Sequence, residues 1–397
     1  MSADPEVLDA VREAIAEIAE GAVDRERQRR LLHEEVAALV RCGFTALRVP
    51  RELGGAGASL PQLFDLLVEL AAADPNLPQA LRGHLGLVER FLVSGAEEDE
   101  QWLRRAVAGE LFANAQAEAG PTTATTTVLE RAEDGEGWRL SGRKFYTTGT
   151  LYADWTWTNG VDEAGQRWRA IAPVKATGVQ VLDDWTGFGQ RLTASGTTVF
   201  DGVHLRPEHV HRVKEEPQWW TLDVRVLFHL LLQATMAGIA VAAVRDAVTF
   251  VRGRTRSFGI AGEHSPRHDP RVHGVLGEMA SRTAAVQALV RDVARDYEQT
   301  RARDHGEDPG DLARTADYVR LQVRQFEAQH VAVADVVAVT NALFEVGGAS
   351  AVLTEKGLDR HWRNARVIAS HNPAVFRTAA IGDYLLNGTV PEAAFRG

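Results

Sequence analysis

The chain has 397 residues, 44 Lys+Arg against 54 Asp+Glu, a formal charge of −10 and 45% hydrophobic residues. That length allows two or three domains with a large core, and the composition excludes wholesale disorder. The acidic balance argues against nucleic acid or an anionic membrane as the main partner, and one cysteine, Cys42, can form neither an intramolecular disulfide nor a thiolate metal cluster. Asp4, Glu6, Asp9 and Glu13 stand where a signal peptide would be basic and then apolar, so a cytoplasmic protein is expected. The most apolar stretch, Val226 to Val244, is interrupted by His229 and Gln233 and followed by Arg245 and Asp246. It reads as a core helix, not a membrane span.

Residues 1–112 read as a helical domain. Asp4-Pro5 suits an N-cap and a first-turn proline, and Val7, Leu8, Val11, Ile15 and Ile18 then share one helical face. A second helix is expected over Arg29 to Arg41, stopping at Gly43, with others at about 60–73, 84–94 and 99–108. The Gly-rich run from Arg51 to Ser59 lacks the Gly-Lys-Ser/Thr ending of a phosphate loop and reads as a connection. From 113 to 212 the grammar is β. Trp138 to Tyr146 alternates around Ser141-Gly142 in the manner of a hairpin, and Thr, Val, Trp and Tyr cluster in 145–158, 168–181 and 197–205. Residues 213–397 turn helical again, at about 222–256, 270–303, 311–345 and 373–387, with a loop from Arg303 to Asp311.

Two histidine groups, His264, His268 and His273, and His204, His209 and His211, lack a carboxylate or thiolate at ligand spacing, so no metal is expected. No Gly-x-Ser-x-Gly elbow occurs, and no Gly-x-Gly-x-x-Gly follows a strand, which disfavours a serine hydrolase and a nicotinamide-binding Rossmann domain. A flavin needs a flat apolar slot, a few donors at its polar edge and a cation for its phosphate. Tyr146, Thr148 and Trp185 can supply the slot and a donor, and Arg256 has the bidentate geometry that suits phosphate.

In its α–β–α order and in several strings the chain resembles the acyl-CoA dehydrogenase superfamily over nearly its whole length. Val49-Pro-Arg-Glu-Leu-Gly-Gly-Ala-Gly57 is similar to the family's N-terminal helix-connecting loop. Leu140-Ser-Gly-Arg-Lys-Phe-Tyr-Thr-Thr148 resembles the segment that lies against the flavin, and Gly187-Phe-Gly-Gln-Arg-Leu-Thr193 the close of the β domain. Arg254-Thr-Arg-Ser-Phe-Gly259 resembles a loop that meets a flavin phosphate, with Arg254 and Arg256 on either side of the family's Arg position. Glu345-Val-Gly-Gly348 resembles the turn that approaches the cofactor from a neighbouring subunit. The resemblance implies an α+β acyl-CoA dehydrogenase fold: an N-terminal helical domain (1–112), a middle β-barrel-like domain (113–212) and a C-terminal four-helix bundle (213–397). It also implies a homotetramer, and flavin contacts at Tyr146, Thr148, Trp185, Arg256, Phe258, Gly347, Gly348, Arg363 and Arg366.

The departures from that family are chemical. Its dehydrogenases abstract an α-proton with a Glu near the end of the bundle or on the bundle's first helix. Here Asp359 to Pro373 contains no Glu, and none occurs between Glu216 and Glu263. Proton abstraction next to a thioester needs a positioned base, and neither seat holds one. What stands there is His361-Trp-Arg-Asn-Ala-Arg366, then His371-Asn-Pro373, then Ile381-Gly-Asp-Tyr-Leu-Leu-Asn-Gly388. This pattern resembles the two-component flavin monooxygenases on the same fold, such as the dibenzothiophene and dimethyl-sulfone monooxygenases. That likeness implies reduced FMN delivered by a separate NAD(P)H-flavin reductase, O2 as co-substrate, and His371, His84 and Asn114 as catalytic residues. A neutral imidazole suits such chemistry, because it can donate to oxygen or take a proton near neutral pH. The alternatives are an FAD-dependent acyl-CoA dehydrogenase and a non-catalytic scaffold. The substrate itself is not legible.

Overall fold

A computed structural model describes residues 4–118, 125–132, 135–213, 215–255, 265–306 and 311–391. The N-terminal helices are α1 (Pro5–Glu20), α2 (Ala22–Gln28), α3 (His33–Arg41), α4 (Leu60–Ala73), α5 (Asn76–Ala80), α6 (Arg82–Ser94) and α7 (Glu97–Val107). Asp4 caps α1 by accepting the Glu6 N–H, and a Ser59–Gln62 capping box starts α4 at the position its pattern predicts. The single helix expected over 29–41 does not form. Arg29 takes a left-handed φ of 51° that ends α2, and its guanidinium pairs with Asp183 of the β domain at 2.6 Å, so α3 starts only at His33.

The middle strands are β1 (Phe112–Ala115), β2 (Val128–Arg131), β3 (Trp138–Lys144), β4 (Trp155–Val161), β5 (Arg167–Pro173), β6 (Val179–Val181), β7 (Thr198–Leu205) and β8 (Val210–Arg212). They form one mixed sheet in the order β6-β7-β3-β2-β4-β5-β8, with β1 parallel to β4. The hairpin expected around Ser141-Gly142 is instead a bulge within the continuous strand β3, where the register against β7 shifts between Leu140 and Gly142. Glycine is required at the bulge because a Cβ on Gly142 would lie 2.6 Å from the Thr127 Oγ1.

The C-terminal helices are α8 (Gln218–Arg252), α9 (Pro270–Ala302), α10 (Leu312–Gly347), α11 (Asp359–His371) and α12 (Val375–Asn387). The apolar window of α8 is 89% buried, against α4, α9 and α10, as its core-helix reading expects. Gly238 makes the α4 contact possible, since a Cβ there would sit 2.4 Å from that of Ala71. Helix α11 was not expected from its composition; it buries one narrow face through His361, Asn364, Ala365 and Ile368.

A buried charge network joins the N-terminal helices to the bundle. Arg301 of α9 makes a two-pronged contact with Asp223 of α8 at 2.8 Å and also pairs with Glu89 of α6, which Arg48 meets from its other side. Removing one partner of such a cluster leaves carboxylates desolvated and unpaired. Arg301→Ala is therefore expected to destabilise the protein by about 3–5 kcal/mol. Urea denaturation followed by circular dichroism checks this; a loss below about 1 kcal/mol, the scale of a surface pair, would contradict it.

Candidate active site

One wall of the site comes from the β domain. Tyr146 holds a left-handed φ of 54°, is 66% exposed and meets the Trp185 ring edge-on at 6.1 Å. Such a backbone in a bulky residue is strained and persists only where its surroundings fix it. They do so here through Gly149, at φ 83°, whose Cβ position would fall 2.0 Å from the Ala80 carbonyl, so the loop lies directly on α5. Buried Thr148 shares a 2.8 Å hydrogen bond with Ser195, which Thr193 also contacts at 2.8 Å. The Trp185 indole N–H donates to the Gln190 carbonyl at 2.9 Å. The Gln190 side-chain amide is buried with neither polar atom partnered, and that orphaned pair marks a place for a polar ligand edge.

The opposite wall is α11. His361 donates to Asp246 of α8 at 2.9 Å and Arg360 pairs with the same carboxylate. Burial alone would raise the Asp246 pKa, but the His361 hydrogen bond and the neighbouring cation hold it well below the usual carboxylate range. One turn on, the Asn364 side-chain carbonyl accepts the Gln190 N–H at 2.5 Å. At the helix end stands His371, whose Nε2 accepts from Arg82 of α6 at 3.0 Å. Because guanidinium can only donate, His371 is neutral with its proton on Nδ1. Desolvation first, and the Arg82 charge second, hold its pKa below the ordinary histidine value, although its outer edge stays exposed.

Asn114 on β1 lies beside α6, where Gly83 permits close approach: a Cβ there would be 3.0 Å from the Asn114 Oδ1. Asn114 thus packs on the same helix, α6, that carries Arg82 to His371. His84, expected as a catalytic residue, lies in the core with both ring nitrogens bonded to backbone. It is fully buried, Nε2 donates to the Thr45 carbonyl at 2.8 Å and Nδ1 accepts the Phe112 N–H at 3.3 Å, so both nitrogens hold backbone in place. Arg82, two residues earlier, presents its charge to the cleft instead.

The expected phosphate contacts divide. Arg363 pairs with Glu26 and Asp359 at 2.8 Å each and donates to the Phe188 carbonyl at 2.9 Å, which ties three parts of the chain together. Arg366 is exposed with no ion pair among the described residues. Gly347 and Gly348 form the end of α10, where Gly348 turns at φ 59° and Arg254 donates to the Val346 carbonyl at 2.9 Å. Arg256 and Phe258 lie outside the described residues.

With this geometry in place, comparison with known proteins fixes the family. The acyl-CoA dehydrogenase N-terminal domain matches residues 3–110 and the acyl-CoA dehydrogenase C-terminal domain matches residues 230–375. The chain belongs to the acyl-CoA dehydrogenase superfamily. Within it, the chain groups with the flavin-dependent monooxygenases. It is 29% identical to the dibenzothiophene monooxygenase of Rhodococcus erythropolis, over 94% of this chain and 91% of that one. It is 28% identical to the probable FMNH2-dependent monooxygenase SfnC of Pseudomonas putida, over 98% and 96%. The FMN-bound dibenzothiophene monooxygenase TdsC of Paenibacillus sp. A11-2 superposes with a TM-score of 0.86 at 26% identity, covering 97% of this chain and 99% of that one.

Burial pushes the His84 pKa down to about 4 and that of His361 to about 4. Both lie below the unfolded value of about 6.5, so the unfolded chain binds more protons between those limits. Stability is therefore present above about pH 6.5 and declines as pH falls towards about 4. Thermal melts between these values check this, with a falling midpoint expected on acidification. His84→Ala is expected to cost about 1–3 kcal/mol, since the Thr45 and Phe112 backbone groups lose their partner inside the protein.

Proposed function

We propose that this chain is a monooxygenase that receives reduced FMN from a separate NAD(P)H-flavin reductase and uses O2 to oxygenate a small sulfur-containing substrate, working as a homotetramer. One observation carries the chemical part. The end of α11, where the dehydrogenases of this fold place a carboxylate base, presents a neutral imidazole held by an arginine. The carboxylates of α8 are engaged elsewhere: Asp223 by Arg301 and Asp246 by His361 and Arg360. The named relatives, a dibenzothiophene monooxygenase and an FMNH2-dependent monooxygenase, support the sulfur chemistry and the cofactor. An acyl-CoA dehydrogenase is not favoured.

The cleft suits a flavin. Tyr146 and Trp185 offer aromatic surface, Thr148 and Gln190 offer hydrogen-bonding groups, and Arg366 with Arg256 would meet the phosphate. Bound reduced FMN supplies the electrons that activate O2. The residues of the chain bind and orient: α11 carries His371 to Arg82, which occupies Nε2, so the imidazole can donate its Nδ1 proton. The tetramer is supported by apolar surface left open on one chain, including Val375 at 70%, Leu385 at 71% and Leu386 at 84% exposure. The apolar stretch of α10 is only 39% buried. Exposed apolar side chains of this kind suit an association surface.

The test is turnover of dibenzothiophene with FMN, a flavin reductase, NADH and O2. His371→Ala is expected to keep its fold and FMN affinity while losing about 100-fold or more in product, with hydrogen peroxide released instead. Product formation at the wild-type level, or reduction of an electron acceptor by acyl-CoA thioesters, would overturn this reading.

A further inference from the structure

Behind the β-domain wall runs a chain of buried hydroxyl groups whose protons can point only one way. It begins at the Gln190 backbone carbonyl, which accepts the Thr193 Oγ1–H at 2.8 Å and the Trp185 indole N–H at 2.9 Å. A carbonyl only accepts and a threonine hydroxyl carries one proton, so the Thr193 proton is spent there. The 2.8 Å contact between Thr193 Oγ1 and Ser195 Oγ must then be donated by Ser195. With that proton used, the 2.8 Å contact between Ser195 and Thr148 must be donated by Thr148. The Tyr146 carbonyl, 3.5 Å from Thr148 Oγ1, is a second and weaker acceptor for the same proton. Either way, Thr148 has no proton left to offer a ligand.

Backbone contacts keep the chain from rearranging. On either side of Ser195, the Gly149 N–H donates to the Thr193 carbonyl at 2.9 Å and the Thr147 N–H to the Gly196 carbonyl at 3.0 Å. Gly196 is held in turn, since a Cβ there would lie 2.2 Å from the Leu182 carbonyl oxygen. The Asp184 carboxylate accepts the N–H and the hydroxyl of Thr197 at 2.8 Å each. Thr147 takes no part, because its hydroxyl donates to the Gly196 carbonyl at 3.1 Å and accepts from Thr198 at 2.8 Å. Thr148, Thr193 and Ser195 are all buried, so bulk water does not compete for their protons. The lone pairs of Thr148 Oγ1 receive no donor among the described residues, and a desolvated acceptor left open is unfavourable until a ligand N–H meets it.

We propose that Thr193 and Ser195 are positioning residues that make the Thr148 hydroxyl an acceptor only, and that this polarity biases the site towards reduced over oxidised FMN. The proposal rests on the reading above that the flavin lies against Thr148. Two-electron reduction converts ring nitrogens of a flavin from acceptors into N–H donors. Opposite Thr148 such an N–H makes a hydrogen bond, whereas the oxidised nitrogen sets lone pair against lone pair.

The test compares the affinity of the full chain for oxidised FMN with that for dithionite-reduced FMN under anaerobic conditions. The wild type is expected to bind the reduced form about 10-fold or more tightly than the oxidised. Ser195→Ala frees the Thr148 proton to face the flavin, and Thr193→Val lets Ser195 donate to Thr148 with the same result. Each should cut the preference by about 10-fold, and the midpoint potential of the bound flavin should fall by about 30 mV with it. Thr193→Ser, which keeps the hydroxyl, should retain the wild-type preference. Equal binding of both forms by the wild type, or an unchanged preference in Ser195→Ala or Thr193→Val because both forms weaken alike, would overturn the proposal; the second result is what a merely structural role predicts. Should one of these two variants fail to fold, the other decides. Thr148→Val is expected to weaken the reduced form by about 10-fold. Unchanged affinities in that variant would remove the flavin contact itself, and the proposal with it, whereas a weakened reduced form with an unaltered preference in Ser195→Ala would leave the contact standing and overturn only the relay.

Discussion

The position of α11 is the constraint on which the site depends. A 13-residue helix that buries a single face has little reason to form alone, because isolated helices of that length are marginal in water. It is held at two points by desolvated polar contacts. His361 and Arg360 grip Asp246 on α8, and Asn364 takes the Gln190 backbone of the β domain. Those two anchors lie one turn apart on the single buried face of the helix, so they fix its rotation as well as its place. His371 then emerges about two turns beyond Asn364, at a height set by the 1.5 Å rise per residue.

That clamp explains how one fold hosts different chemistry. A dehydrogenase needs a basic carboxylate over the cofactor, and the same helix end here carries an imidazole kept neutral by burial and by the guanidinium that faces it. The choice between the two is made by a few side chains on a shared frame, which is why family membership alone assigns no reaction. The surrounding charge follows the same logic. Asp223, Asp246 and Glu26 are engaged in ion pairs that tie separate elements together.

Strained backbone is concentrated on the β-domain side of the cleft. Tyr146 and Gln190 both take left-handed conformations without being glycine, and each is followed by contacts that hold it: Gly149 against Ala80 after the first, Thr193 with Ser195 after the second. Local preference opposes these conformations and packing imposes them, as is common at binding sites.

The sequence by itself determined the parts governed by local periodicity and local capping. The limits of α4 follow from Ser59, Gln62 and the apolar spacing behind them, and the α–β–α order from the change in residue grammar near 113 and 213. The tertiary structure decided what spacing cannot encode. Whether Ser141-Gly142 turns the chain or bulges a strand depended on β7 lying alongside. Which residue of Leu81-Arg82-Gly83-His84 faces the cleft depended on the rotation of α6, and that rotation is set by Gly83 against Asn114 and by the Thr45 carbonyl and Phe112 N–H that capture His84. Arg363 finds its partner in Glu26, 337 residues away in sequence. A side chain's chemistry is fixed by its type, but its partner is fixed by long-range packing, and only folding brings such partners together.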